Sequence, residues 1–185
     1  MVNPGNTSEE IRHGLAALVG QRLLRTRNLF ATRMFFFGQS NLLVDSALYT
    51  LGLECPWRVE KHDVILAGAE DYYEKAEANT DESWEAGMPS GHLQDQGLVE
   101  LLGELREGYI INTGAGLVVE SVEGDRFGGF RIGMSESCVL EVFPASRNQM
   151  EWIFSPPLGG SLILMNGAVE RGGQHPDAKE LPSRV

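Results

Sequence analysis

Between Ala47 and Val59 the chain alternates without a break: Ala47, Tyr49, Leu51, Leu53, Cys55, Trp57 and Val59 are apolar, with Thr50, Gly52, Glu54, Pro56 and Arg58 between them. Apolar residues at period two mark a strand with one buried and one wet face, so this segment predicts a long strand. Pro56 has no amide hydrogen to give a ladder, which puts that point at a sheet edge or a bulge. Met34 to Phe37 predicts a short buried strand ending at Gly38, and Val64 to Ala67 a strand returning after His62 and Asp63. From Tyr109 the signal is strand after strand: Tyr109 to Thr113, Leu117 to Val122, Phe127 to Met134, Ser137 to Phe143, Gln149 to Phe154 and Ser161 to Met165. Glycine, proline and polar breaks separate them, several short enough to be hairpins, so consecutive strands should be antiparallel neighbours.

Helical spacing occurs twice. Ile11, Leu15, Leu18 and Val19 share one face of a first helix, with Thr7 or Ser8 as cap and Thr7 and Glu10 at capping-box spacing. Leu98, Leu101, Leu102 and Leu105 give the stripe of a second helix that stops at Gly108. Helix, strands, helix, strands in that order predicts an α+β fold. The expected architecture is a single domain over 1–166, a mainly antiparallel curved sheet of about seven or eight strands with two helices packed on one face. A polar stretch over 70–97 reads as an acidic surface excursion, and 167–185 as a flexible tail.

Composition refines this picture in three ways. At 185 residues and 42% apolar, the chain suits one domain with an independent core. No apolar run exceeds the five residues from Leu15 to Val19, and Met1 to Asn6 carries neither a basic nor an apolar leader region, so the expectation is a cytoplasmic protein without membrane association. Cys55 and Cys138 are the two cysteines and read as buried thiols of a reducing compartment.

The net charge of −11 is unevenly spread. From Met1 to Val44 five arginines face Glu9 and Glu10, whereas from Glu70 to Asp95 eight acids face only Lys75. Nucleic acid is disfavoured as a partner, because an acidic surface repels the phosphates that supply most of the affinity. A basic protein partner is easier to accommodate.

The segment Leu53-Glu54-Cys55-Pro56-Trp57-Arg58, then Ile65 to Gly68 with Asp71, and later Leu140-Glu141-Val142-Phe143-Pro144 with Glu151-Trp152, resembles a group of uncharacterised bacterial proteins. The resemblance covers roughly the middle two thirds of the chain. It implies a fold type and a bacterial setting, and it carries over no catalytic residue.

Motifs for chemistry are sparse. His13, His62, His92 and His175 are scattered, no His-x-x-x-His or Cys-x-x-Cys spacing occurs, and Asp81 to Glu85 lacks the pattern of an EF-hand, so no metal and no cofactor are expected. Gly-x-Ser-x-Gly is absent, and Gly114-x-Gly116 is followed by strand and lacks a third glycine, which makes it a turn. No catalytic residue is assigned. Glu54, Arg58, Glu141 and Glu151 are candidate ligand-binding residues, because they can converge as polar side chains in a cleft on the sheet. Tyr72, Tyr73 and Trp84, aromatic residues within the acidic stretch, are candidate partner-binding anchors. The leading functional expectation is a non-enzymatic interaction module, immunity-like or antitoxin-like, that engages a basic protein. The competing one is a small-ligand binder or enzyme built around Arg58 and Glu141. Pro56 leaves the oligomeric state open, since a free edge pairs across a two-fold in a homodimer while proline blocks continuous pairing.

Overall fold

Two-residue left-handed turns set much of the register of this protein. The computed structural model describes residues 4–39, 48–71, 92–114, 116–146 and 148–172. His62 and Asp63, Glu107 and Gly108, and Asn166 and Gly167 all have φ between 50° and 78°. Positive φ at both central residues is the type I′ geometry, whose twist matches that of the strands it joins. A first helix, α1, spans Pro4–Leu15 and continues as a 3-10 turn over Ala16–Leu18. Strands β1 to β5 follow at Arg22–Leu29, Thr32–Gly38, Tyr49–Leu53, Trp57–Lys61 and Val64–Gly68. Helix α2 covers His92–Leu102. It leads into β6 (Gly103–Arg106), β7 (Tyr109–Asn112), β8 (Leu117–Gly124), β9 (Phe130–Met134) and β10 (Cys138–Val142). The remaining strands are β11 (Met150–Ser155), β12 (Leu162–Met165) and β13 (Ala168–Arg171).

Among the described residues these thirteen strands form one antiparallel network, in place of the seven or eight expected. The main path runs β13-β12-β11-β3-β2-β1-β8-β9-β10-β4-β5, open at both ends, with β7 branching from β1 and β6 from β7. The sheet is single and antiparallel, as expected, and strands from both ends of its path pack the core. Phe35 of β2 meets Trp57 of β4 edge-to-face with ring centroids 5.6 Å apart, and Phe130 of β9 meets Trp152 of β11 at 5.2 Å. These strands are far apart along the path, so its two halves lie face to face over one shared core. The Trp152 indole N–H donates to the Gly128 carbonyl at 2.8 Å, which satisfies the one polar atom of the largest core side chain.

The helices do not share a face. Helix α1 packs on β8 and β13, and α2 on β5 and β7, so each covers a separate gap between the two halves. Ile11, Leu15 and Leu18 are fully buried, as their spacing predicts, while Val19 is half exposed. Each large aliphatic side chain buried in this way contributes roughly 1.5–3 kcal/mol. Helix α2 stops at Leu102 because Gly103 turns to φ +119°, so Leu105 leaves the predicted stripe and is exposed on β6.

The long strand over 47–59 is two strands. Glu54 and Cys55 both donate their backbone N–H to the Glu151 carbonyl, at 2.9 and 3.1 Å, and the chain turns there. Strand β3 then pairs with β2 and β11, and β4 with β10 and β5. The alternation survives because both strands line the same core: Leu51, Leu53, Cys55, Trp57 and Val59 are all buried. At the other end the sheet runs past the expected limit at residue 166, since Ala168 to Arg171 pairs with β12.

Candidate functional site

Arg58 and Glu141, two of the four predicted ligand-binding residues, face each other across β4 and β10. The Arg58 Nε and Nη2 donate to Glu141 Oε2 at 2.8 and 2.5 Å, and Nε also meets Glu60 Oε1 at 2.6 Å. Arg131 Nε lies 3.6 Å from Glu141 Oε1, and Arg131 is in register with Glu123. The row Arg58, Glu141, Arg131, Glu123 therefore alternates in charge across four strands. The Arg58 guanidinium also lies 5.1 Å from the centre of the Phe143 ring. Charges so matched satisfy one another and leave a ligand little to gain.

The other two lie elsewhere. Glu54 is exposed and accepts a hydrogen bond from Thr32 Oγ1 at 3.0 Å. Glu151 is 1% exposed, and its carboxylate accepts backbone N–H groups from Ala145, at 3.3 Å, and from Ser146. A carboxylate satisfied by the loop it folds serves structure. Tyr72, Tyr73 and Trp84 lie outside the described residues, as does most of the acidic stretch over 70–97. Cys55 and Cys138 are free thiols, and burial pushes both up to about 12, against Lys61 in the case of Cys138. Such thiols stay protonated and unreactive at neutral pH. Among the described residues no three potential metal ligands come together. No described helix is long and apolar enough to cross a membrane.

Sequence reading missed a cavity of about 650 Å³ between α1 and the connection from β11 to β12. Its construction follows from small residues and prolines. Gly14 lets α1 approach Leu162 of β12 so closely that a Cβ there would collide with the leucine side chain. Pro156 and Pro157 stiffen the connection, Gly159 takes φ +113°, and Ser155 and Ser161 tie its base through their hydroxyls at 2.9 Å. One wall is aromatic, with Tyr49 stacked on Phe154 at 6.1 Å and an interplanar angle of 6°.

The electrostatics of this cavity run against those of the chain. Its described ionisable lining groups are His13 from α1, Arg171 from β13 and Tyr49, with no carboxylate, in a protein of net charge −11. Among the described residues the His13 and Arg171 side chains make no hydrogen bond or ion pair, so their donors are available to a guest. A guanidinium and an imidazole beside an aromatic wall suit a small anion with a flat apolar body. No motif announces this arrangement, because its parts come from four distant segments.

A second missed feature is a set of arginines held among aromatic rings. Arg25 and Phe36 are register partners on β1 and β2, and the Arg25 guanidinium lies 5.1 Å from the Phe36 ring centre and 4.7 Å from that of Tyr109. Arg27 sits 4.8 Å from the same Tyr109 ring and donates to its hydroxyl at 2.5 Å. Stacking of this kind orients a guanidinium while desolvating its faces. Comparison with protein-family models, with curated proteins and with solved structures finds no match to this chain.

Proposed function

We propose that this protein is a binding module for a small organic anion with an aromatic or other flat apolar body, held in the cavity between α1 and the β11–β12 connection. The observation that carries this reading is the Arg171 guanidinium and the His13 imidazole in the lining of that cavity, with no described carboxylate, within a strongly acidic chain. Its volume of about 650 Å³ lies inside the range of small-molecule sites. Arg171 supplies a planar fork for a carboxylate, and the Tyr49–Phe154 pair supplies a surface for the body. Ser161 bonds Ser155, so the serine hydroxyl in the lining is committed to structure, which favours binding over nucleophilic chemistry.

The test is calorimetric titration of the full chain with benzoate, with naphthoate and with the neutral amide of each. The carboxylates should bind, the amides should bind at least roughly tenfold more weakly, and Arg171→Ala should remove that preference. Equal binding of acid and amide, or a preference that survives Arg171→Ala, would overturn the reading. A second reading, docking of a basic protein on the acidic segment over 70–95, is favoured by its eight acids against one lysine. Deleting residues 73–88 from the folded protein should abolish capture of such a partner, and capture by the deletion variant would exclude it.

A further inference from the structure

We propose that a second cavity, of about 390 Å³ and built around β1, β6 and β7, is a site for the phosphate group of a small polar phosphomonoester. Three arginines line it: Arg22 and Arg25 from β1 and Arg106 from β6, against the single described carboxylate of Glu104. None of its lining residues belongs to the first cavity, so the two sites stand or fall separately.

The cluster is assembled by identifiable features of the strands. The register of β1 against β2 shifts between Leu23 and Arg25, so Leu23 stays in the core while Arg25 pairs with Phe36. Arg25 is only 6% exposed and is clamped by the Phe36 and Tyr109 rings, which fixes the plane of its fork. Gly116, at φ +98°, lies against the Arg22 side chain, and a Cβ there would meet Arg22 Cδ at 3.0 Å. Asn112 completes the wall: its Nδ2 donates to the Leu23 carbonyl at 2.8 Å and its Oδ1 accepts from the Gly114 N–H at 3.0 Å. The Arg22 and Arg106 side chains have no hydrogen-bond or ion-pair partner among the described residues.

Three guanidinium groups around one space match the charge and the several acceptor oxygens of a phosphate better than those of a monocarboxylate. The positive field is local, because charges separated by more than about 8 Å are screened at physiological salt, so the acidity of the rest of the chain does not cancel it. A water occupies about 30 Å³ in the liquid, so the cavity has room for the phosphate and a small attached body. Glu104 at its margin accepts hydrogen bonds from hydroxyls on that body.

The experiment is titration of the full chain with inorganic phosphate, glycerol 3-phosphate and glycerol, followed by backbone NMR shifts. Saturable changes should centre on 22–25 and 104–114, with glycerol 3-phosphate tighter than phosphate and glycerol silent. Phosphate binding as tightly as the ester would reassign the site to the free anion and overturn the monoester assignment. The double variant Arg22→Ala with Arg106→Ala changes two exposed side chains and should weaken both phosphoryl probes at least roughly tenfold, while benzoate binding at the first cavity is unchanged. No saturable shift with any phosphoryl probe, or affinity untouched in the double variant, would refute the site.

Discussion

Arg33 and Asp95 are joined through Nη1 and Oδ1 at 2.7 Å, and this contact fastens α2 to the core face of β2. Arg33 is 2% exposed, and its Nε donates to the buried Thr26 hydroxyl at 2.9 Å. Taking the charge from Asp95 leaves a buried guanidinium less compensated, which costs more than losing a surface pair. Asp95→Asn should therefore destabilise the fold by about 1–3 kcal/mol in urea unfolding, discounted for the partial exposure of Asp95. Glu100→Gln, on the exposed side of the same helix, should stay within about 0.5 kcal/mol of wild type.

Gly97 presents the opposite of the usual helix rule. An alanine in place of a mid-helix glycine ordinarily gains about 1 kcal/mol. Here a Cβ on Gly97 would fall on the Leu66 carbonyl of β5, and backbone cannot yield as a flexible side chain does. Gly97→Ala should cost about 1–3 kcal/mol, with the amide signals of 64–68 shifted most. A rise in melting temperature would show that α2 rides higher on β5 than this contact implies.

The two thiols give stability a defined dependence on alkaline pH. Cys55 and Cys138 are pushed from an ordinary 9.0 to about 12, chiefly by burial, with Glu151 adding to the effect at Cys55. In the unfolded chain they ionise near 9 while the folded protein still holds their protons, so the contribution is complete below 9 and is lost as pH climbs towards 12. Each pH unit in that window removes about 1.4 kcal/mol per thiol. Between about pH 9 and about pH 11 the unfolding free energy should fall less steeply in Cys55→Ala than in wild type. Identical slopes would place the thiol in a wetter site.

The ladder around Glu141 should prove weak despite its short distances. Arg58 is 40% exposed, so solvent and salt screen the pair. A double-mutant cycle of Arg58→Ala and Glu141→Ala should give a coupling of about 0.2–1 kcal/mol that shrinks at high salt. Binding at either cavity should be untouched by both variants. A larger, salt-insensitive coupling would mark the row as a desolvated network.

The sequence made some of these relationships visible and hid others for physical reasons. Burial of Leu51, Leu53, Cys55, Trp57 and Val59 was legible because alternation reports the core face directly. The break at Glu54 to Pro56 was not, since it depends on the Glu151 carbonyl drawing in two amides from almost a hundred residues away. Strand β1, with Arg25 and Arg27 in its middle, shows no clean alternation, because the irregularity at Leu24 switches faces and two rings shelter the cation. The hairpin at Asn166 and Gly167 carries the strongest type I′ dipeptide, yet the glycine-rich sequence after it masks the short strand. Glu54, Glu141 and Glu151 were expected to converge with Arg58, and of these Glu141 pairs with it while Glu54 meets Thr32 and Glu151 is buried, because strand parity gives the face and not the depth. Both cavities escaped notice since each is a meeting of segments with no local pattern.

The interleaved strand path has a consequence for how the chain acquires its shape. Residues 4–71 supply β1 to β5 and residues 92–172 supply α2 and β6 to β13, yet β3 bonds to β11, β4 to β10 and β1 to both β7 and β8. Each portion holds hairpins of its own, but β1, β3 and β4 of the first each lack a neighbour that only the second supplies. A chain severed between Asp71 and His92 should yield two pieces that are unstructured apart and reconstitute the native sheet on mixing, as a noncovalent heterodimer whose assembly is itself the folding reaction.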